Sequence, residues 1–502
     1  MAQLVWGKNI EITAADIPES AEEIIFCDEF DRHIGPNILP DTIKSIVFGN
    51  CFDQQFAENI LPDYLESIKF GKYFSKPINP HILPSSLKSI VFVWGFTQPI
   101  GPNVLPGSLE FINFGRHFNQ SIGPNILPES LKYVDFGHDF NQPIGPNILP
   151  NYLKSIKFGA YFEQPIAENV LPDSLESIDF GCEFNHPIGP NILPASIKII
   201  VFSWEFNQPI GPGDLPDSLE SITFGDSFAQ PIAQNVLPSS LKHIEFGYYF
   251  DQLIGPNILP QSLESSVFRM NFNQSIDTDI LPMSLKHIDF GGNFNHPIGE
   301  NILPRNLESI KFGNDFNQYI GPDILPVSLK HITFGKNFDQ PIGAGVLPVS
   351  LETIVFGDRF NRPICENVLP GSLKYVTYGK MYTHSISAIY QLNHIERLTI
   401  SSANDVEINV GLLPPNLKYL CISDPDMLLS LNAEFQRMWF SVICQMGQDL
   451  LKITFPVLHA SQQPYHYDYK AIGTETIDKC KYDILINSAF YQPRTRAKSA
   501  RK

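Results

Sequence analysis

Cysteine is scarce: seven in 502 residues, with no CxxC pair and no even framework. That usage predicts a reducing compartment rather than a disulfide-stapled secreted protein. Positive charge is also short. Against 53 Asp and Glu stand only 35 Lys and Arg, a formal charge of −18, which argues against nucleic acid or an anionic membrane as the main partner. No apolar run reaches the length of a membrane span, and MAQLVWGKNIEITAAD at the start lacks the basic region and long apolar stretch of a signal peptide. Together these absences predict a soluble intracellular, cytoplasmic protein. Signatures of chemistry are missing as well: there is no GxGxxG, P-loop, HExxH, GxSxG or EF-hand loop. The expectation is a protein that is not an enzyme, with no catalytic, cofactor-binding or metal-binding residues and no small-molecule substrate.

What is present is order. Phenylalanine recurs every 22 residues from Phe30 to Phe360, sixteen times without an insertion. With that Phe as position 0, the unit reads F-N-Q-P-I-G-P-N-I-L-P-x-S-L-K/E-x-I-x-F-G-x-x. The register extends one unit back through Ile17, Pro18 and Phe26. It extends two units on through Ile395, Leu398 and Ile400, then Leu413, Pro414, Leu417, Leu420 and Ile422. Such a period over most of a chain specifies one solenoid rather than several globular domains.

Each column has a physical reading. The segment L-x-x-I-x-F puts positions 16 and 18 on one face of an extended strand and 15 and 17 on the other, and the following Gly marks its end. Equivalent strands stack into a parallel sheet with ladders of like side chains inside. Phe at positions 0 and 18 accounts for 31 of the 38 phenylalanines, so the aromatic excess is core. Pro occupies position 10 in all sixteen units and recurs at 3 and 6. Because Pro blocks both helix interiors and central sheet positions, the return leg should be extended or polyproline-like and poor in helix.

Position 14 alternates Lys44, Glu66, Lys88, Glu110, Lys132 and then, out of turn, Lys154 before Glu176. Rungs about 4.8 Å apart make this a ladder of opposite charges, each exposed pair contributing about 0.2–1 kcal/mol. It serves register and solubility; duplication of a 44-residue block would produce the same pattern.

The run F-N-x-P-I through P-x-S-L-K-x-I-x-F-G resembles the FNIP repeat, a leucine-rich-repeat-like motif of social amoebae and of giant DNA viruses that infect amoebae. The resemblance implies a leucine-rich-repeat-like solenoid whose parallel sheet lines a concave face, and an interaction protein. Some members carry an F-box ahead of the repeats; seven residues before the first in-register unit leave no room for one here. The Asn of the standard leucine-rich pattern is absent from its usual place. Asx falls instead at position 1 (Asn119, Asn141, Asn185, Asn207) and position 7 (Asn37, Asn125, Asn147), where amide ladders could satisfy turn backbone groups. A right-handed parallel β-helix is the alternative fold.

These columns divide the chain into an N-terminal cap with one degenerate rung (1–29), sixteen regular repeats (30–381), two degenerate rungs (382–425), a C-terminal cap (426–455) and a polar tail (456–502). Within the cap, apolar spacing over 427–448 predicts an amphipathic helix, and Leu450, Ile453 and Phe455 a closing strand. The tail ends in the basic stretch QPRTRAKSARK, read as solvated with a sorting or anionic-partner tail as the alternative, and contains Tyr465, His466, Tyr467 and Tyr469, too weak a cluster to name a reaction.

His243, His287 and His331 share position 15 but are two rungs apart, about 9.6 Å, too far to share a metal. Candidates for binding lie where outward columns break their rule. Position 15, mostly Ser, becomes Phe111, Tyr133 and Ile199; position 19, mostly Gly, becomes Val93, Ser203 and Arg269, followed in two cases by Trp94 and Trp204. Trp94, Phe111, Tyr133, Ile199 and Trp204 are therefore the candidate protein-binding residues. Covering a local packing defect is the competing role for the two tryptophans. The function expected is a non-catalytic scaffold for protein–protein interaction through the sheet or an aromatic-bearing edge, the alternative being a structural rod in a larger assembly.

Overall fold

The computed structural model describes residues 2–401 and 412–422, and the side chains of these up to residue 420. The predicted C-terminal helix, closing strand and tail, with Cys444, Cys480 and the Tyr465–Tyr469 cluster, lie outside the described residues.

Among the described residues, twenty strands form one parallel sheet. They are β1 (Gln3–Trp6), β2 (Glu23–Phe26), fifteen three-residue strands from β3 (Ser45–Val47) to β17 (Thr353–Val355), β18 (Tyr375–Tyr378), β19 (Arg397–Ile400) and β20 (Tyr419–Ile422). Each strand pairs in register with the next in the chain, as Ile46 with Ile68 and Ile68 with Ile90. β1 departs from the ruler, since Gln3 stands opposite Glu23, a separation of 20 residues. The 22-residue register therefore missed it. The return legs contribute no strand of a second sheet among the described residues, which sets aside the β-helix alternative. They hold the short helix α1 (Ser387–Tyr390) and the 3-10 turn Ala14–Asp16.

The columns form the core as their chemistry requires. Position 13 has no solvent exposure from Ile43 to Leu373, and position 0 stays at or below 1% from Phe30 to Phe360. Two phenylalanine ladders interlock. Phe30 stacks on Phe52 at 6.0 Å between ring centres, Phe48 on Phe70 at 5.9 Å, and Phe48 on Phe52 at 4.0 Å. Each buried Phe contributes about 1.5–3 kcal/mol by burial, and stacked pairs add about 0.5–1.5 kcal/mol.

The turns are built by repeating hydrogen bonds. The N–H at position 13 donates to the carbonyl of Pro at position 10, as Ile43 to Pro40 at 3.0 Å, so P-x-S-L is a β-turn. The Ser in it donates backward to the carbonyl at position 13 of the preceding rung, as Ser86 to Leu65 and Ser130 to Leu109, both at 2.7 Å. Position 1 forms the expected amide ladder. Asn119 Oδ1 accepts from the Asn141 N–H at 2.9 Å and from Gln142 Nε2 at 3.0 Å, and Asn141 Oδ1 repeats this with Glu163 N and Gln164 Nε2.

Position 7 has a different cause from the ladder expected of it. Its φ is positive in every regular unit, near +60° at Asn37, Asn125 and Asn147 and +87° at Gly213. Asn is there because it enters the left-handed region at lower cost than other residues bearing a Cβ.

Candidate functional site

The outward strand face is shallow where small residues line up. At position 17, four units carry a short Asx: Asn113, Asp135, Asp179 and Asp289. In each, the side chain accepts the N–H of the glycine two residues on, at 2.8 Å for Gly115, 2.9 Å for Gly137 and Gly181, and 3.0 Å for Gly291. These four glycines have φ between +75° and +80°. Three of the four Asx turns lie in rungs 113–181, so a run of this face is floored by curled-back side chains and bare backbone. Val93 stands at one end of this run, and Val201 and Trp204 at the other. The result is a groove of about 540 Å³, lined among others by Val93, Asn113, Arg116, Asp135, His138, Lys157, Asp179, Cys182 and Trp204.

Charge in the groove is arranged unevenly. Lys157 Nζ lies 3.4 Å from Asp179 Oδ2. Asp135 has neutral donors: Asn113 Nδ2 at 2.8 Å on Oδ2 and the Gly137 N–H on Oδ1. Burial pushes its carboxyl above the usual range, against the lowering effects of the Gly137 N–H and Lys157. Burial, reinforced by Asp179 and Glu183, likewise raises the Cys182 thiol. Beside the groove, Asp139 sits between two imidazoles, with His117 Nδ1 at 2.7 Å and His138 Nδ1 at 2.6 Å. Burial opposes the Asp139 charge, but the two histidines prevail and hold its pKa below the ordinary value.

Of the five residues singled out by the broken columns, Trp204 lines this groove, Trp94 follows the lining Val93, and Phe111, Tyr133 and Ile199 stand on strands that contribute the lining residues Asn113, Asp135 and Val201. Phe111 and Tyr133 are paired neighbours on strands Phe111–Asn113 and Tyr133–Asp135, two residues before the floor positions Asn113 and Asp135 and so on the same face. Ile199 stands likewise before Val201, on the strand Ile199–Val201. Tyr133 is 49% exposed, Ile199 44% and Trp204 51%, whereas Phe111 is half-buried. Trp94, 37% exposed, is clasped between Lys72 Nζ at 4.4 Å from its ring centre and the Arg116 guanidinium at 4.9 Å. Ser203, which replaces glycine before Trp204, is fully buried, and its hydroxyl donates to the Phe184 carbonyl.

Sequence reasoning missed the floor itself, Asp135, Lys157 and Asp179, because it followed positions 15, 19 and 20 and left position 17 unread. The signal was present: Asx two residues before Gly is a turn in which the side chain replaces a backbone acceptor. His287 and His331 are held below the usual imidazole range, chiefly by burial. Among the described residues no group of three or more His, Cys, Asp or Glu could hold a metal ion, and no helix is long and apolar enough to cross a membrane.

The FNIP Repeat profile matches residues 9–51, 52–93, 96–139, 140–183, 184–227, 228–265, 272–315, 316–354 and 338–380. The chain belongs to the FNIP repeat family. Most of the matched FNIP segments span two 22-residue rungs. Among solved structures, the FNIP solenoid is similar to "CroV588 a novel circular LRR protein structure", with 39% identity and a TM-score of 0.68. That match covers 81% of this chain and 66% of the other, so the chain spans just under two thirds of that protein's length. The protein of the TLR13–ssRNA13 complex shares the fold, with a TM-score of 0.51 at 12% identity over 84% of this chain and 73% of that one. The FNIP repeats therefore build a leucine-rich-repeat-like solenoid. No protein of curated function matches the sequence.

Proposed function

We propose that this protein is a non-catalytic scaffold that holds a protein partner against the outward strand face between Trp94 and Trp204. One observation carries the reading: Trp204 lines the groove, and Trp94, Phe111, Tyr133 and Ile199 each stand one or two residues from a residue that lines it. A regular solenoid has no packing need for exposed Tyr133, Ile199 and Trp204 at 49%, 44% and 51%, whereas rigidly mounted aromatics are the usual anchors of protein interfaces. Repeat solenoids suit the task because stacked rungs present a long, preformed surface and little ordering is needed on binding. With seven cysteines and no even framework, we place this role inside the cell, in the cytoplasm, without a cofactor.

The test is capture of partners from cell lysate with mass spectrometry, comparing wild type with a Trp94→Ala, Phe111→Ala, Tyr133→Ala, Trp204→Ala variant of unchanged melting temperature. A partner retained by wild type alone supports the scaffold. Equal recovery by both proteins overturns it and favours a structural rod within an assembly.

A further inference from the structure

The groove runs from Val93 and Arg116, which rests on Trp94, to Val201 and Trp204, and its charges are unequally satisfied. Trp94 and Trp204 occupy the same position five units apart, about 24 Å at the usual strand spacing of roughly 4.8 Å. An extended chain advances about 3.4 Å per residue, so about seven residues cover that distance. Between the ends, the two cations are already engaged: Lys157 lies 3.4 Å from Asp179, and Arg116 rests on Trp94 at 4.9 Å. Asp135 is different. Its acceptors meet the Asn113 amide and the Gly137 N–H, and no cation stands within ion-pair distance among the described residues.

We infer that the groove takes an extended segment of about seven residues from a partner protein, with an apolar side chain toward each tryptophan and a Lys or Arg in the middle, paired with Asp135. This rests on the scaffold reading and supplies its partner's chemistry. Charge complementarity selects it: the chain carries −18 overall, and Asp135 is a buried carboxylate without an ion pair, whereas the Arg116 guanidinium rests on the Trp94 ring at 4.9 Å. Burial already disfavours that carboxylate's ionised form, so a cation brought into contact relieves a cost that exists before binding. The neighbouring lysines of position 14 do not compete, because Lys132 is paired with Glu110 and Lys154 with Glu176, each at 2.7 Å. Charged middle and aromatic ends give the segment a register as well as affinity.

The experiment is selection of a displayed random heptapeptide library on the full chain, followed by anisotropy measurements with labelled synthetic peptides. The expected set has Lys or Arg at the centre and apolar residues at both ends. Asp135→Asn, which keeps an oxygen acceptor for the Gly137 N–H, weakens binding tenfold or more at unchanged melting temperature. Replacing the central basic residue of the peptide by Glu weakens binding to wild type by at least as much, and this arm requires no protein variant. Selected peptides with acidic or neutral centres, indifference to both substitutions, or no selected peptide at all overturn the inference. Peptides that lose binding to a Trp94→Ala, Trp204→Ala protein but ignore Asp135 remove the basic residue and leave the scaffold standing. Peptides that bind that double variant as well as wild type remove the groove from both.

Discussion

Glu176 accepts a hydrogen bond from Lys154 at 2.7 Å through Oε1 and from Lys198 at 2.9 Å through Oε2. Elsewhere in this column each lysine pairs with the glutamate of the preceding rung, as Lys242 with Glu220 and Lys286 with Glu264. Lys154 instead turns forward, because Lys132 stands behind it and is bonded to Glu110.

The double contact gives a prediction in pH. Hydrogen bonds from Lys154 and Lys198, and then their charges, lower the Glu176 pKa from 4.5 to about 2. A folded pKa below the unfolded one contributes stability that is complete above about pH 4.5 and disappears as pH falls toward 2. Carboxyl chemical shifts should place the Glu176 midpoint near the lower figure, and Glu176→Gln should flatten the loss of stability in that window. A midpoint near the ordinary glutamate value would show that solvent and salt screen both contacts.

Glycine at position 19 makes a second prediction. A Cβ on Gly137 would overlap the Gly115 carbonyl, and its φ is +80°. Gly101 has nothing within 4 Å of the same atom. Gly137→Ala should cost about 2 kcal/mol or more, combining left-handed strain with a forced separation of rungs. Gly101→Ala should stay within about 0.5 kcal/mol of neutral or stabilise slightly. Urea unfolding of the two variants side by side measures the difference.

The left-handed column is tested at Asn147, φ +61°. Asn147→Gly should leave the melting temperature nearly unchanged, whereas Asn147→Val should destabilise by about 1–2 kcal/mol. Equal effects would mean that the Asn side chain, rather than its backbone, matters there.

Ser266 interrupts the isoleucine column, facing Ile244 and Ile288 in adjacent strands. It is fully buried, and its hydroxyl has no hydrogen-bond partner. Ser266→Val should therefore stabilise the protein by about 1–2 kcal/mol, removing an unsatisfied polar group and restoring apolar contact. A loss of stability would mean that the Phe246–Phe268 pair, at 4.7 Å, already fills the space.

Most of the fold was legible because each structural demand repeats on the same ruler. Phe at positions 0 and 18, Leu at 13 and Pro at 10 each had one physical reading, and the strands fall where L-x-x-I-x-F put them. β1 escaped, since its 20-residue offset from β2 lies off that ruler. The Asn of position 7 was misread for a subtler reason: an amide suits both a hydrogen-bond ladder and a left-handed turn, and sequence does not display φ. For the site, Trp94, Phe111, Tyr133, Ile199 and Trp204 stood out as exceptions, whereas Asp135 and Lys157 did not. An outward column that varies freely conceals the place where its variation matters, until neighbouring rungs are set side by side.

The backward-reaching contacts, Ser86 to Leu65 or Asn141 to Asn119, bear on how such a gene can change length. Each joins a residue to its counterpart about one period away, so excising or inserting one whole period leaves every survivor with an equivalent neighbour. Recombination in steps of two units also preserves the alternation of Lys and Glu. A step of one unit sets like charges side by side, which is the arrangement at Lys132 and Lys154. Any such step between Trp94 and Trp204 alters their separation by about 4.8 Å, so unequal crossing-over becomes a means of resizing what this face can hold.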